Sequence, residues 1–280
     1  MDLKEKEAAQ RLIEMAFEED IATGDVTTDN IIPAGSRRRA YMIAKESGVI
    51  AGLEVAELVF RRLDAGLEWY PQVVDSQRVE KGDVIVRFAA DYRAILSGER
   101  TALNFLQRMS GIATTTALYV NELKGFDTVI LDTRKTLPGF RLLDKYSVRM
   151  GGATNHRMGL FDMVMLKDNH IDIAGGITAA ICHIREKAPH GIKVEVEVTS
   201  LAQTQEAVDA GADIIMLDNM DVPAMADAVK LIAGRARTEA SGNMSISRLR
   251  EVAATGVDYI SVGALTHSVK ALDISQRIEE

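Results

Sequence analysis

Hydrophobic positions change their period twice along the 280-residue chain. Leu12, Ile13, Met15, Ala16 and Phe17 cluster as one face of an opening helix, which the turn-rich IATGDVTTDN ends. RRRAYMIAKESGVIAG and LEWYPQVVDSQRVEKGDVIVRFAA then hold short β-rich runs bounded by Gly, Pro and Asp, with GLEVAELVFRRL as a helix between them. This segment lacks regular strand-helix alternation and reads as an α+β domain. From Asp91 to Lys124 the pattern turns helical, a candidate bridge between domains. After Gly125 a regular rhythm begins: strand candidates TVILDT, DMVMLK, KVEVEV, DIIMLD, RTEAS and DYISVG, each followed by a helix-like segment expected to reach ten residues or more.

Six such units predict parallel strands with crossover helices, closed or nearly closed into an α/β barrel. No G-x-G-x-x-G follows a strand, which argues against a dinucleotide-binding sheet. The expected division is 1–105 for the α+β domain and 106–267 for the barrel, with the tail, about 268–280, a candidate to pack back on the first.

In a barrel the chemistry gathers where strands end. Those ends carry Asp132-Thr133-Arg134-Lys135, Lys167, Glu197, Asp218, Ser241-Gly242-Asn243 and Ser261-Val262-Gly263. In KVEVEV, Val194, Val196 and Val198 share one face, so Glu195 and Glu197 point inward, where carboxylates need cations or a metal. Lys167 falls on the face of Met163 and Met165, and Asp218 on that of Ile214 and Met216.

Charge sharpens the picture. The net charge is -8, which opposes nonspecific binding to nucleic acid or an anionic membrane. Yet Asp132 to Ile171 holds seven Lys/Arg against four Asp. That reversal suits an anionic small ligand. Arg134, Lys135, His156, Arg157 and Lys167 are its candidate binders, suited to two or more carboxylates or phosphates. His156-Arg157 follows the MGGATN turn and is expected in a loop. Arg141, Lys145 and Arg149, spaced i, i+4, i+8, read as a solvated helix stripe, and Arg100 beside Glu99 as a solvated surface pair. Ser241-Gly242-Asn243 and Val262-Gly263-Ala264 lie where barrels hold phosphate through backbone N–H groups. With Glu197 and Asp218 as oxygen ligands they suggest a magnesium-bound phosphorylated substrate. His170, His183, His190 and His267 lack metal-ligand spacing and are assigned structural roles.

Cys182 is the only cysteine, which excludes an intrachain disulfide and a thiolate cluster. The N-terminus lacks the apolar core of a signal peptide, and MSGIATTTALYVN is too short and polar to span a bilayer. A cytoplasmic, non-membrane address is expected.

DTRKTLPGFRLLDKYSVRMGGATNHRMGLFDMVMLKDNHI, KVEVEV, GADIIMLDNM, EASGNMS and GVDYISVGALTHSVKALDIS closely resemble quinolinate phosphoribosyltransferases. GDVTTDNIIP and GERTALNFLQRMSGIAT extend the resemblance over nearly the whole chain. The resemblance implies an N-terminal α+β domain on an incomplete α/β barrel, and a homodimer whose sites borrow residues from the neighbour. It implies that Arg134, Lys135, His156, Arg157 and Lys167 hold the quinolinate carboxylates, with Thr133 also binding substrate, completed by Arg100 of the neighbour, which reverses the surface-pair reading. Glu197 and Asp218 would serve magnesium and phosphoribosyl pyrophosphate, and the loops Ser241-Gly242-Asn243 and Ser261-Val262-Gly263-Ala264 its phosphate. Lys135, Lys167, Glu197 and Asp218 would carry the chemistry. One departure is Ala153, where the family often has a third glycine. Three rivals stand beside this: a Schiff-base aldolase using Lys167, a superfamily member acting on another base, as in molybdenum-transport-associated proteins, and a degenerate barrel serving as a scaffold.

Overall fold

The computed structural model describes residues 1–279. Helix α1 (Leu3–Asp20) starts in a capping box: Asp2 Oδ1 accepts the Glu5 N–H at 2.9 Å, and Glu5 Oε2 accepts that of Asp2 at 2.8 Å. Ala9, Ile13 and Phe17, four residues apart, form its buried line. Met15, expected on that face, is 63% exposed, because two residues beyond Ile13 lies about 200° around the helix. After α2 (Thr28–Ile31) come β1 (Arg37–Ala44), β2 (Gly48–Val49), α3 (Leu53–Leu63), β3 (Glu68–Pro71), β4 (Arg78–Val79), β5 (Val84–Asp91) and the 31-residue α4 (Tyr92–Glu122). Phe60 of α3 sits 4.7 Å, centroid to centroid, from Phe88 of β5 and 6.1 Å from Trp69 of β3, joining the helix to the sheet's apolar face.

The alternating part runs β6 (Val129–Leu131), α5 (Arg141–Met150), β7 (Val164–Leu166), α6 (Asp168–Ala174), α7 (Ile177–Lys187), β8 (Val194–Val198), α8 (Leu201–Asp209), β9 (Ile214–Asp218), α9 (Val222–Ile232), β10 (Arg237–Ser241), α10 (Leu249–Ala253), β11 (Tyr259–Ser261) and α11 (Ala264–His267). All six strand candidates are strands, in the parallel order β6-β11-β10-β9-β8-β7. Edge strands β6 and β7 do not pair, so the barrel is incomplete. The free edge of β6 is instead taken by Thr154, whose N–H donates to Ile130 O at 3.0 Å and whose carbonyl accepts the Asp132 N–H at 3.3 Å. Several crossover helices are shorter than expected, with nine residues in α8, five in α10 and four in α11.

The last strand, β12 (Ile274–Ile278), pairs antiparallel with β1, completing the sheet β12-β1-β5-β3. By internal contacts the chain forms two compact units. One comprises Met1–Ala117, Thr136–Gly152 and the residues from Leu265 onward; the other comprises Leu118–Lys135 and Ala153–Ala264. A cut at 105/106 follows chain order, whereas contacts follow packing: α4 is unbroken across that point, and α5 and β12 join the first unit. No helix among the described residues is long and apolar enough to cross a membrane.

Helix α5 corrects one expectation. Lys145 is fully buried, together with Asp144 and Ser147, so Arg141, Lys145 and Arg149 are not a solvated stripe. Asp144 takes a bidentate pair from Arg108 at 2.9 and 3.1 Å, and burial outweighs that arginine to raise its pKa. Arg149 pairs with buried Glu5 and stacks over Tyr146, and Arg141 Nε donates to Thr136 Oγ1 at 3.1 Å. Spacing alone could not separate charges facing water from charges paired inside.

Candidate active site

Because the six strands run parallel, their C-terminal ends lie along one edge of the sheet. Every proposed site residue except Arg100 belongs to the unit that contains them. Val194, Val196 and Val198 are buried on one face of β8, while Glu195 on the other is fully buried and Glu197 half-buried.

At the end of β6, Asp132 is fully buried and organises the next loop. Its Oδ1 accepts the backbone N–H of His156 at 2.8 Å and its Oδ2 the side-chain amide of Asn155 at 2.7 Å. His156-Arg157 is therefore a fixed loop. Ala153 is buried and keeps an ordinary φ, so the backbone there does not require glycine. The Nε2 of His156 lies 2.9 Å from Glu195 Oε2 and 3.5 Å from Glu239 Oε2, and Glu239 accepts from the Ser261 hydroxyl. Burial lowers the His156 pKa, but the two carboxylates overcome it and raise the net value to about 9. Glu195 rises to about 7, because burial and the neighbouring Glu239 outweigh the attraction of His156.

These shifts have the same sign in stability. His156 gains a proton more readily in the fold than at its ordinary 6.5, so its contribution is complete below that pH and lost as pH rises through about 9. Glu195 resists ionisation in the fold relative to its ordinary 4.5, so its contribution is likewise lost as pH rises through about 7. The melting temperature is expected to fall as pH rises from about 4.5 to about 9, and His156→Gln to change the slope of that fall. Thermal denaturation at stepped pH checks this; an unchanged slope in the variant contradicts it.

Arg157 is aimed by two contacts, Nη1 donating to the Met163 carbonyl at 3.1 Å and Nη2 meeting Met165 Sδ at 3.6 Å. Its Nε is buried with no hydrogen-bond partner among the described residues. Burial and nearby Arg134 lower its pKa, outweighing the attraction of Glu195 and Asp162. Thr133 Oγ1 accepts the Lys135 N–H at 3.1 Å, and the Lys135 side chain is exposed. Lys167 caps α6, its N–H donating to His170 Nδ1 at 3.0 Å, while its half-exposed ammonium pairs with Glu197 Oε2 at 2.7 Å.

Asp218 ends β9 and accepts from the Asn219 amide at 2.6 Å. A Cβ on Gly242 would stand 2.2 Å from Asn219 Oδ1, and Gly242 has φ 95°, so β9 and β10 end in a junction only glycine fits. Gly242→Ala is expected to cost about 1–3 kcal/mol, read as a lower melting temperature. At the end of β11 the expected phosphate loop is partly engaged. The Val262 N–H donates to Leu131 O at 2.9 Å, continuing the ladder with β6, and the Ser261 hydroxyl turns to Glu239. Neither of those donors is offered outward. His267 bonds Ser268 at 2.7 Å. Arg100 lies on α4 in the other unit; it is exposed, and Glu99 is engaged by Gln276 instead at 3.0 Å.

Both parts of the chain match one family. Residues 25–110 fit the N-terminal domain of quinolinate phosphoribosyl transferase and residues 112–277 its C-terminal domain. The chain belongs to the quinolinate phosphoribosyl transferase family. A probable nicotinate-nucleotide pyrophosphorylase (carboxylating) of Bacillus subtilis is 43% identical over 96% of this chain and 93% of its own length. A probable nicotinate-nucleotide pyrophosphorylase (carboxylating) of Synechocystis sp. is 44% identical over 93% of this chain and 89% of its own. The crystal structure of NadC from Streptococcus pyogenes superposes with a TM-score of 0.96 at 42% identity, covering 100% of this chain and 99% of that one.

For this member of the quinolinate phosphoribosyl transferase family, sequence reasoning missed Glu239 and the organising role of Asp132. Glu239 was findable: RTEAS obeys the alternation that turned Glu195 inward, but its flanking Thr and Ala made no apolar stripe to betray the inward face.

Proposed function

We infer that this chain transfers the phosphoribosyl group of phosphoribosyl pyrophosphate to the ring nitrogen of quinolinate. Pyrophosphate leaves, the 2-carboxylate departs as carbon dioxide, and the product is nicotinate mononucleotide, a step of NAD biosynthesis. Family membership gives the reaction class, and one observation carries the substrate: the buried, unpartnered Nε of Arg157, aimed from a fixed loop beside Arg134. A buried guanidinium with an unpartnered Nε near a second positive charge favours an anionic ligand, and a carboxylate fits Arg in a bidentate pair.

As the bond from ribose C1 to pyrophosphate breaks, the sugar gains oxocarbenium character, and Glu197 and Asp218 at neighbouring strand ends stabilise it electrostatically. Once the nitrogen is quaternary, the ring accepts the electron pair released as carbon dioxide leaves, and C2 then takes a proton. Lys135, Arg134, Arg157 and His156 orient the carboxylates and select against a ring that lacks the second one.

Magnesium belongs to this reading, bound with phosphoribosyl pyrophosphate, and the residues present fit it. Glu197 and Asp218 each use one oxygen within the chain, and no third protein ligand joins them among the described residues. That suits an ion that keeps waters and phosphate oxygens in most positions. When bound, it would neutralise charge on the leaving pyrophosphate.

The active form in this reading is a cytoplasmic homodimer in which exposed Arg100 completes the site of the second copy. Lys167, half-exposed and salt-bridged to Glu197, lacks the apolar, desolvated setting of a Schiff-base lysine. Incubation with quinolinate, phosphoribosyl pyrophosphate and magnesium, followed by mass spectrometry, tests the assignment. Nicotinate mononucleotide is expected from quinolinate and not from nicotinate; product from nicotinate alone would overturn it.

A further inference from the structure

His156 faces acidic groups from three sides. Glu195 of β8 and Glu239 of β10 bracket its Nε2, and Asp132 after β6 holds its backbone N–H. The Glu195 contact, at 2.9 Å, is a hydrogen bond; the Glu239 contact, at 3.5 Å, is electrostatic only. Glu195 and Glu239 are both fully buried, and one oxygen of each, Glu195 Oε1 and Glu239 Oε2, has no hydrogen-bond partner. The other oxygen of Glu239 is held by Ser261 of β11.

Two buried carboxylates are a costly way to fill a sheet interior. Apolar side chains of the same volume often pack there with equal or better stability. What apolar groups cannot do is hold an imidazole charged and at a fixed angle. Of the two acids, Glu195 makes the direct bond, while Glu239 has its own anchor in Ser261. Removing Glu239 would leave the bond to Glu195 in place and release the second restraint.

We propose that Glu239, anchored by Ser261, is a positioning residue for quinolinate binding, fixing the orientation and positive charge of His156. This rests on the assignment of His156 to the quinolinate carboxylates made above. Glu239 touches no substrate itself; it acts through the imidazole.

Glu239→Gln keeps the shape and removes the charge. The KM for quinolinate is expected to rise about tenfold or more, the scale of a weakened interaction with a charged group, while that for phosphoribosyl pyrophosphate stays within about twofold. In the free protein, 15N NMR of His156 should show deprotonation moving to lower pH. Ser261→Ala, which leaves Glu239 without its donor, should give a smaller change in the same two readings. An equal rise in both KM values, or a lower kcat with the quinolinate KM unchanged, would overturn the proposal. So would an unmoved His156 titration in both variants. If Glu239→Gln does not fold, Ser261→Ala decides on the same two readings. Because NMR needs no turnover, a native protein that makes no nicotinate mononucleotide while His156 still responds to Glu239 would locate the failure in the assigned reaction instead.

Discussion

Arg157→Ala is expected to lower kcat/KM for quinolinate by roughly 30- to 5,000-fold, the kinetic equivalent of the about 2 to 5 kcal/mol lost when one partner of a desolvated charge pair is removed. The geometry makes this the largest single-residue effect on that substrate. Its guanidinium is aimed by the Met163 carbonyl and Met165 sulfur, and its Nε has no hydrogen-bond partner among the described residues. Arg157→Lys should recover little, since an ammonium cannot satisfy a carboxylate through a planar fork. Initial rates at varied quinolinate, with a melting curve for each variant, separate this from unfolding. A variant that melts normally and keeps its quinolinate KM would remove Arg157 from the site.

The second large effect concerns assembly. Arg100→Ala and Lys167→Ala are each expected to be nearly inactive alone. In the proposed homodimer, exposed Arg100 serves the second copy, while Lys167, paired with Glu197, serves its own strand ends. Mixed in equal amounts with subunit exchange, the two variants form heterodimers in which both lesions fall in one site and the other is intact. About a quarter of native activity should return, since half the dimers are mixed and half their sites are whole. Native mass spectrometry confirms exchange. Heterodimers without activity would contradict the shared site.

Strand-helix rhythm after Gly125 made the sheet legible, because apolar strands buried on both faces stand out against amphipathic helices. Alternation in VEVEV made the inward acids legible for the same reason, and both Glu195 and Glu197 lie where the pattern put them. Burial of paired charge was not legible. Lys145 looked like part of a wet stripe, although Asp144 beside it meets Arg108 from α4, a partner 36 residues away in the chain. Backbone commitment was equally invisible: nothing in GVDYISVGA announces that the Val262 N–H closes a ladder with β6 or that the Ser261 hydroxyl turns inward to Glu239. Nor was the edge contact of Thr154 on β6 legible, being made across a turn with no periodic signature.

The most direct measurement uses quinolinate carrying isotopic carbon in its 2-carboxylate, with phosphoribosyl pyrophosphate and magnesium. Labelled carbon dioxide and pyrophosphate should appear in equal amounts with unlabelled nicotinate mononucleotide, and no label should be released when phosphoribosyl pyrophosphate is omitted. Retention of the label in the nucleotide, or its release without the phosphoribosyl donor, would contradict the account.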